Sequence, residues 1–280
     1  MTNSSSESAG LLYVIATPIG NLADLGSRAR DALDAVDLVV AEDTRRAGRL
    51  LAHLGLKKKL WSLHDHNEDE QTPKLLAELE RGRRLALISD AGTPLISDPG
   101  LKLVAGARAR GLTVVGVPGA SAVTAALSVA GLPTDRFVFE GFLPRRQKQR
   151  RTRLEALAPE SRTLVFFEAV HRIEAALDDM IEAFGPERRA VLARELTKLH
   201  EQVIDGTLGE IRAALGVGMP LLGEFVIVVA GTDESQTAGD DEVRHLYRLL
   251  VAEIAPSRAV ALCARITGRS RNEVYALTRA

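Results

Sequence analysis

From residue 11 onward, short runs of β-branched residues and leucine alternate with alanine- and leucine-rich stretches whose apolar positions recur at helical spacing. This is the βαβ rhythm of a mostly parallel sheet. The short runs predict strands over 11–16, 38–41, 85–88 and 113–117, with a further short strand near 60–63. Helical spacing falls near 27–35, 44–54, 70–81, 99–110 and 120–130, which completes one α/β domain. A second set follows, with strands at 137–140, 164–167, 190–193, 201–205 and the strongly apolar 225–230, separated by helices near 146–157, 170–184 and 208–215. The pattern therefore predicts an N-terminal α/β domain over 11–119 and a C-terminal, smaller α/β domain over 120–231. The helix that opens at 120 is compatible with packing on either domain.

Both ends differ from this rhythm. Residues 1–10 begin MTNSSSESA and read as a disordered tail. The stretch GTDESQTAGDD has no apolar periodicity and reads as a linker, over about 232–240. Beyond it, three short helices are predicted over 241–254, 257–266 and 270–279, a small helical domain spanning 241–280. The last two, joined by Thr267-Gly268-Arg269, have helix-turn-helix proportions. Arg258, Arg265, Arg269, Arg271 and Arg279 make this end basic, which suits either a nucleic-acid contact or a solvated helical face.

Composition narrows the function classes. The chain has 280 residues, 46% hydrophobic, enough for a core in each domain. Its 36 Lys plus Arg against 37 Asp plus Glu give a net charge of -1, so a polyanion must be met by local basic patches and not by a global field. The single cysteine, Cys263, allows no internal disulfide framework, and no CxxC or Cys/His cluster is present to hold zinc, so no metal is expected. No apolar run approaches a membrane-spanning length and the first residues lack a signal-peptide pattern, which fits a cytoplasmic protein with no membrane partner.

Four loops fall at the carboxyl ends of predicted strands, where open α/β sheets bind ligands: ATPIGN (16–21), EDTR (42–45), DAGTPLISDPG (90–100) and PGASA (118–122). The third holds two glycines and two prolines in eleven residues, so the backbone must turn there with its N–H groups available. None matches GxGxxG or GxxxxGK[ST], which disfavours ordinary NAD and nucleoside triphosphate sites.

The runs LYVIATPIGNLADL (12–25), VVAEDTRRAGRLL (39–51), SDAGTPLISDPG (89–100), VPGASAVTAALSVAGLP (117–133), FEGFLPRR (139–146), FFEAVHRI (166–173) and RELTKLHE (194–201) together resemble the bacterial 16S rRNA 2′-O-ribose methyltransferase I family. That family belongs to the tetrapyrrole methylase-like, class III methyltransferases. The wider superfamily usually carries a GxGPGD-type first loop and a GDP-type central loop, whereas this chain has ATPIGNL and DAGTP, which points to the ribosomal branch. The resemblance implies two αβα domains with S-adenosylmethionine in the cleft between them and a helix-turn-helix-like C-terminal extension. It also implies a homodimer and methyl transfer to the 2′-hydroxyl of a cytidine in 16S rRNA at the decoding centre of the small ribosomal subunit.

Carried over by motif, Pro18 and the loop Asp90, Ala91, Gly92, Thr93 and Pro94 contact the cofactor, with Ile96, Ser121 and Ala122 adding apolar and hydroxyl contacts and Phe167 closing over one end. Ser121 also suits a helix N-cap, and Phe167 the core. A protonated ribose hydroxyl is a poor nucleophile, so a base is useful. Asp24, Asp43 and Glu168 are candidates as carboxylates beside strand-end loops, and Lys198 is a fourth if burial lowers its pKa. Asp43 equally suits a cap of the following helix or a pair with Arg45 or Arg46, and Glu168 a pair with Arg172. For RNA, the run RRQKQRRTR (145–153) holds six cations, of which Arg145, Arg146, Arg150 and Arg151 are the leading phosphate contacts. Arg45 belongs to a smaller cluster with Arg46 and Arg49, and His171 with Arg172 forms another. Each cluster is also readable as a solvated or structural group.

Overall fold

The computed structural model describes residues 10–232 and 240–278; the predicted tail and most of the predicted linker lie outside the described residues. The first sheet is built from β1 (Leu11–Ile15), β2 (Leu38–Ala41), β3 (Lys59–Ser62), β4 (Arg84–Ile88) and β5 (Thr113–Val117). All are parallel, in the order β3-β2-β4-β1-β5. β2 is buried at every position, as a parallel strand covered on both faces must be. Helices α1 (Ser27–Ala35) and α2 (Thr44–His53) pack on one face, through Leu33 and Leu51. The other face takes α3 (Glu68–Glu80) and α4 (Leu101–Ala109), through Leu75, Leu79 and Leu103. A short 3₁₀ turn, Leu22–Asp24, not foreseen from the pattern, follows the first loop.

The second sheet departs from the parallel expectation. It comprises β6 (Phe137–Phe142), β7 (Thr163–Ala169), β8 (Arg189–Arg194), β9 (Gln202–Thr207) and β10 (Glu224–Val229), in the order β6-β7-β10-β8-β9. Only β6 and β7 run parallel; the other three pairings are antiparallel. The reason for β8 and β9 is the connection, since residues 195–201 contain no helix and are too short to carry a parallel crossover. α6 (Gln147–Leu157), α7 (Ile173–Phe184) and α8 (Leu208–Ala214) cover one face around Phe166, Leu177 and Ile227.

The helix after Pro118, α5 (Ala122–Val129), packs on the opposite face of this second sheet, where Val123, Ala126 and Leu127 meet Val165, Val191 and Val226. Ile19, from the loop after β1, joins the same cluster and so ties the two sheets together. At the chain's end, α9 (Asp240–Glu253), α10 (Pro256–Thr267) and α11 (Arg271–Thr278) share a small core of Val243, Val260, Cys263 and Val274. Gly268, in the left-handed region at φ 68°, ends α10, and Ser270 caps α11 by accepting from the Glu273 amide.

The basic run corrects one expectation. Arg150 lies inside the protein, only 5% exposed, with its Nε 2.6 Å from Asp179 on α7. Helical spacing aims it inward, so one turn of α6 is fastened to α7 by arginine beside the leucine contacts. Arg151 also meets Asp179, at 2.8 Å, as well as Glu182, and Arg153 binds Glu140 at 2.7 Å. Half of the six cations are therefore spent within the chain, because a buried carboxylate such as Asp179 must be paired. Arg145 and Arg146 are exposed and make no ion pair among the described residues. Arg150→Ala is expected to destabilise the protein by about 3–5 kcal/mol by leaving Asp179 buried and underpaired, whereas Arg145→Ala stays within about 0.5 kcal/mol of the parent. Urea denaturation of the two variants checks this; equal midpoints refute it.

Candidate methyl-transfer cleft

The loops after β1 and β4 meet because those strands are neighbours in the sheet. There they form a two-bond antiparallel bridge: the Thr17 amide donates to the Gly92 carbonyl at 2.9 Å, and the Gly92 amide to the Thr17 carbonyl at 3.0 Å. The Thr17 hydroxyl donates to the Ser89 carbonyl at 3.2 Å. Gly92 sits at φ 79°, where a Cβ would lie 3.2 Å from Ile19 Cγ2, so the turn needs glycine on both counts. Downstream, Glu68 on α3 accepts the amides of Gly100 and Lys102 at 3.0 and 3.1 Å and fixes the loop's other end. Between these anchors Leu95 and Ser97 take left-handed φ values of 73° and 65°, costly for non-glycine residues and held by the surrounding structure.

This loop forms one wall of a cavity of about 290 Å³ between the two sheets. Asp90, Ala91, Gly92, Thr93, Ile96, Ser121, Ala122 and Phe167 all line it, and Glu168 does so from the second sheet. The remaining predicted residues fall elsewhere. Pro94 is buried and does not line the cavity. Pro18 lines a smaller neighbouring notch with Arg46, Arg49 and Asp90. Ser121 occupies the N-cap position of α5 without making a capping side-chain bond. Phe167 packs edge-to-face on Phe139 and Phe142, with centroids 4.9 and 5.6 Å apart, so it is core on one side and cleft wall on the other.

The candidate bases separate clearly. Asp24 is exposed on the 3₁₀ turn and does not reach the cavity. Asp43 caps α2 and grips Arg45 with both oxygens, at 3.0 and 2.7 Å; that side-chain hydrogen bonding holds its carboxyl far below the usual range. Arg45 is thereby engaged, though exposed. Lys198 holds Glu195 at 2.8 Å and Glu224 at 3.0 Å; burial alone would lower its pKa, but the two carboxylates outweigh burial and raise it. It is an ammonium here and cannot act as a base. Glu168 is 1% exposed, accepts from the Ala169 amide at 2.8 Å and faces Arg172 at 3.2 Å. Burial raises its pKa, and its Oε2 has no hydrogen-bond partner. Arg172 also donates to the Leu143 carbonyl, so it braces the end of β6, while His171 is exposed at the turn before α7.

Several wall residues escape motif reading. Phe142 is one, 54% exposed and lining the cavity beside Ile96, which the motif reading did include. Phe142 follows a bulge at Gly141, whose φ is 65° and whose absent Cβ would sit 2.8 Å from Ser97 Oγ, so the first sheet's loop abuts the second sheet here. Asp98 also lines the cavity; burial first, then the negative charge of Glu42, pushes its carboxyl up to about 7. Sequence offered a faint signal for it, an acid directly before a proline, yet Asp-Pro-Gly is also ordinary turn chemistry.

Comparison with known proteins agrees with this architecture. Residues 11–212 match the family of tetrapyrrole (corrin/porphyrin) methylases, and residues 237–279 match the RsmI C-terminal HTH domain. The chain belongs to the tetrapyrrole methylase family and is a methyltransferase that uses S-adenosylmethionine. It is 51% identical to the ribosomal RNA small subunit methyltransferase I of Xylella fastidiosa (strain Temecula1), over 95% of this chain and 98% of that protein. Identity to the protein of the same name from Escherichia coli O157:H7 is 46%, covering 97% and 96% of the two chains. The fold is shared with the methyltransferase CobJ (TM-score 0.60, 19% identity, 82% of this chain and 96% of that one). It is shared too with Thermus thermophilus uroporphyrin-III C-methyl transferase complexed with S-adenyl homocysteine (TM-score 0.55, 18% identity, 79% and 97%).

Gly92→Trp is expected to abolish S-adenosylmethionine binding, because the side chain enters the turn at a left-handed φ; unchanged calorimetric affinity would refute that. A second expectation concerns pH. The Asp98 carboxyl is raised from 3.8 to about 7, so between those values the native state binds more protons than the unfolded one and stability falls as pH rises. Asp98→Asn removes that loss, and scanning calorimetry at about pH 8 should find the variant's Tm above the parent's, with the gap closing near pH 4.

Proposed function

We propose that this protein transfers the methyl group of S-adenosylmethionine to the 2′-hydroxyl of a cytidine ribose in 16S rRNA, at the decoding centre of the small ribosomal subunit, and that it does so in the cytoplasm as a homodimer. The observation that carries the reading is the 51% identity, across nearly the whole of both chains, to a ribosomal RNA small subunit methyltransferase I. The cleft suits the cofactor: a glycine turn leaves room for close approach, Ile96, Phe142 and Phe167 give apolar walls, and the Thr93 and Ser121 hydroxyls and the Asp90 carboxylate stand among them as polar partners. Bound S-adenosylmethionine supplies an already activated methyl. The protein's part is to align the hydroxyl oxygen with that carbon, exclude water and take up a proton.

RNA contact falls to Arg145 and Arg146, exposed members of the basic run that make no ion pair among the described residues, at the end of β6 that also carries Phe142 to the cleft. The C-terminal helices supply a second surface, and their match to an HTH domain supports that role. His171 lies close in sequence to the Glu168 wall and is free to meet a phosphate on the same side.

The direct test is incubation of purified small subunits with labelled S-adenosylmethionine, followed by alkaline hydrolysis. A 2′-O-methyl group blocks cleavage at its own phosphodiester, so one new resistant linkage after a cytidine is expected; label confined to a base or to protein refutes the reading. Converting Arg145 and Arg146 together to Gln should raise KM while leaving kcat and cofactor affinity in place. The slope of log affinity against log salt should shrink by roughly 1.4–1.8 for two lost phosphate contacts. An unaltered slope removes these two arginines from the interface.

A further inference from the structure

A ribose 2′-hydroxyl sits on the carbon next to the one that bears the 3′-phosphodiester. An RNA strand that offers this oxygen to an activated methyl therefore also brings a phosphate to the edge of the cleft. The cavity itself repels that phosphate, because the charged side chains lining it are all carboxylates: Asp90, Asp98, Glu168 and Glu224. The phosphate needs a cationic recess beside the cavity.

Such a recess adjoins the cavity on the first sheet's side. It has a volume of about 210 Å³, and Asp90 lines both spaces. Its apolar surfaces come from Pro18 and Leu22, after β1, and from Leu50 on α2; Leu22 is 47% exposed. Its cations are Arg46 and Arg49, three residues apart on α2 and so on one face of it. Arg45 is turned to Asp43 instead. Arg49 is exposed and makes no ion pair among the described residues. Arg46 faces Asp90 through Nε at 3.4 Å, longer than a charge-assisted hydrogen bond, which leaves its terminal N–H groups for another acceptor. Glu42 also feels the Arg46 charge but does not line the notch. The charged groups that do line it leave one net positive charge, and a phosphodiester carries one negative. The Thr17–Gly92 bridge joins the loops that carry Pro18 and Asp90, so notch and cavity keep a fixed spacing.

We propose that this notch is a phosphate subsite for the acceptor strand, in which Arg46 and Arg49 hold the phosphodiester that follows the target cytidine; the proposal rests on the ribose-methyltransferase reading above. The apolar side chains around the two guanidinium groups limit water at the contact and strengthen it. The two arginines act as positioning residues: a phosphate held there fixes the neighbouring ribose carbon, and with it the hydroxyl, against the cleft. They also discriminate, since free cytidine lacks the group they hold. Arg145 and Arg146 stand on the second sheet's side, so the strand is gripped from both sheets.

The test changes the phosphate and the arginines in turn. Small subunits are reassembled around 16S rRNA whose linkage after the target cytidine is either the natural phosphodiester or an uncharged amide, with the amide placed before that cytidine as a control. For the parent protein, the amide after the cytidine should lower kcat/KM by roughly 10–100-fold, and the amide before it by less than threefold. Arg46→Gln combined with Arg49→Gln should lower kcat/KM on natural subunits by a similar factor. That double variant should then lose almost nothing more on the amide, while its calorimetric affinity for S-adenosylhomocysteine stays within threefold of the parent's. A merely structural role for the arginines predicts that the two losses multiply. The proposal is overturned if the parent is indifferent to the amide, if the double variant still shows the parent's full amide penalty, or if its loss lies in cofactor affinity. Should the double variant fail to fold, Arg49→Gln alone decides by the same comparison, since Arg49 gives up no ion pair among the described residues. A parent protein that methylates no ribose on natural subunits refutes the underlying reading instead; ribose methylation that ignores the amide refutes only the subsite.

Discussion

Two backbone hydrogen bonds between Thr17 and Gly92 set the geometry on which the rest of the site depends. Parallel strands leave their carboxyl-end loops unpaired, and such loops need some other source of order. Here β1 and β4 are adjacent, so their loops pair with each other as soon as the strands end. The bridge forces the chain to turn at Gly92, brings Ile19 beneath that turn and sends Ile19 on into the second sheet's core. One short contact thereby orients the loop after β4 and seats one sheet against the other.

The cleft's electrostatics follow from how charges are shared out around that contact. Three arginines are used within the protein beside the cleft: Arg150 on Asp179, Arg172 on Glu168 and the Leu143 carbonyl, Arg194 on the carbonyls of Leu222 and His200. These pairs hold α6 to α7 and shape the ends of β6 and β8 that border the cavity. What remains is uneven, with acidic groups gathered at the first sheet's end of the cleft and, outside it, Arg145 and Arg146, which make no ion pair among the described residues.

Much of the fold was legible in the order of residues. The runs at 11–15, 38–41 and 113–117 became strands because a short β-branched run between turn residues has few other stable uses. The turn after β4 that lines the cleft was legible too, through its two glycines and two prolines. Strand direction in the second sheet was not, since periodicity reports that a segment is a strand and says nothing of which neighbour it chooses. β10 runs antiparallel between β7 and β8 only because the helixless link from β8 to β9 and the return through α8 leave it that slot.

The sequence by itself determined the family, the elements and the loops that converge, because these rest on local propensity and on residues whose backbone requirements are strict. Only the tertiary structure decided which charges are available. Arg145 and Arg150 belong to one basic run, and helical phase alone exposes the first and buries the second against Asp179. Asp43 and Asp98 are both acids beside a strand-end loop. A partner two residues away leaves one a locked cap, and the acidic neighbours brought from β2 and the turn after β3 surround the other at the cleft, where it makes no ion pair among the described residues. Protonation depends on burial and on the sign of neighbouring charge, and both are set by segments distant in sequence.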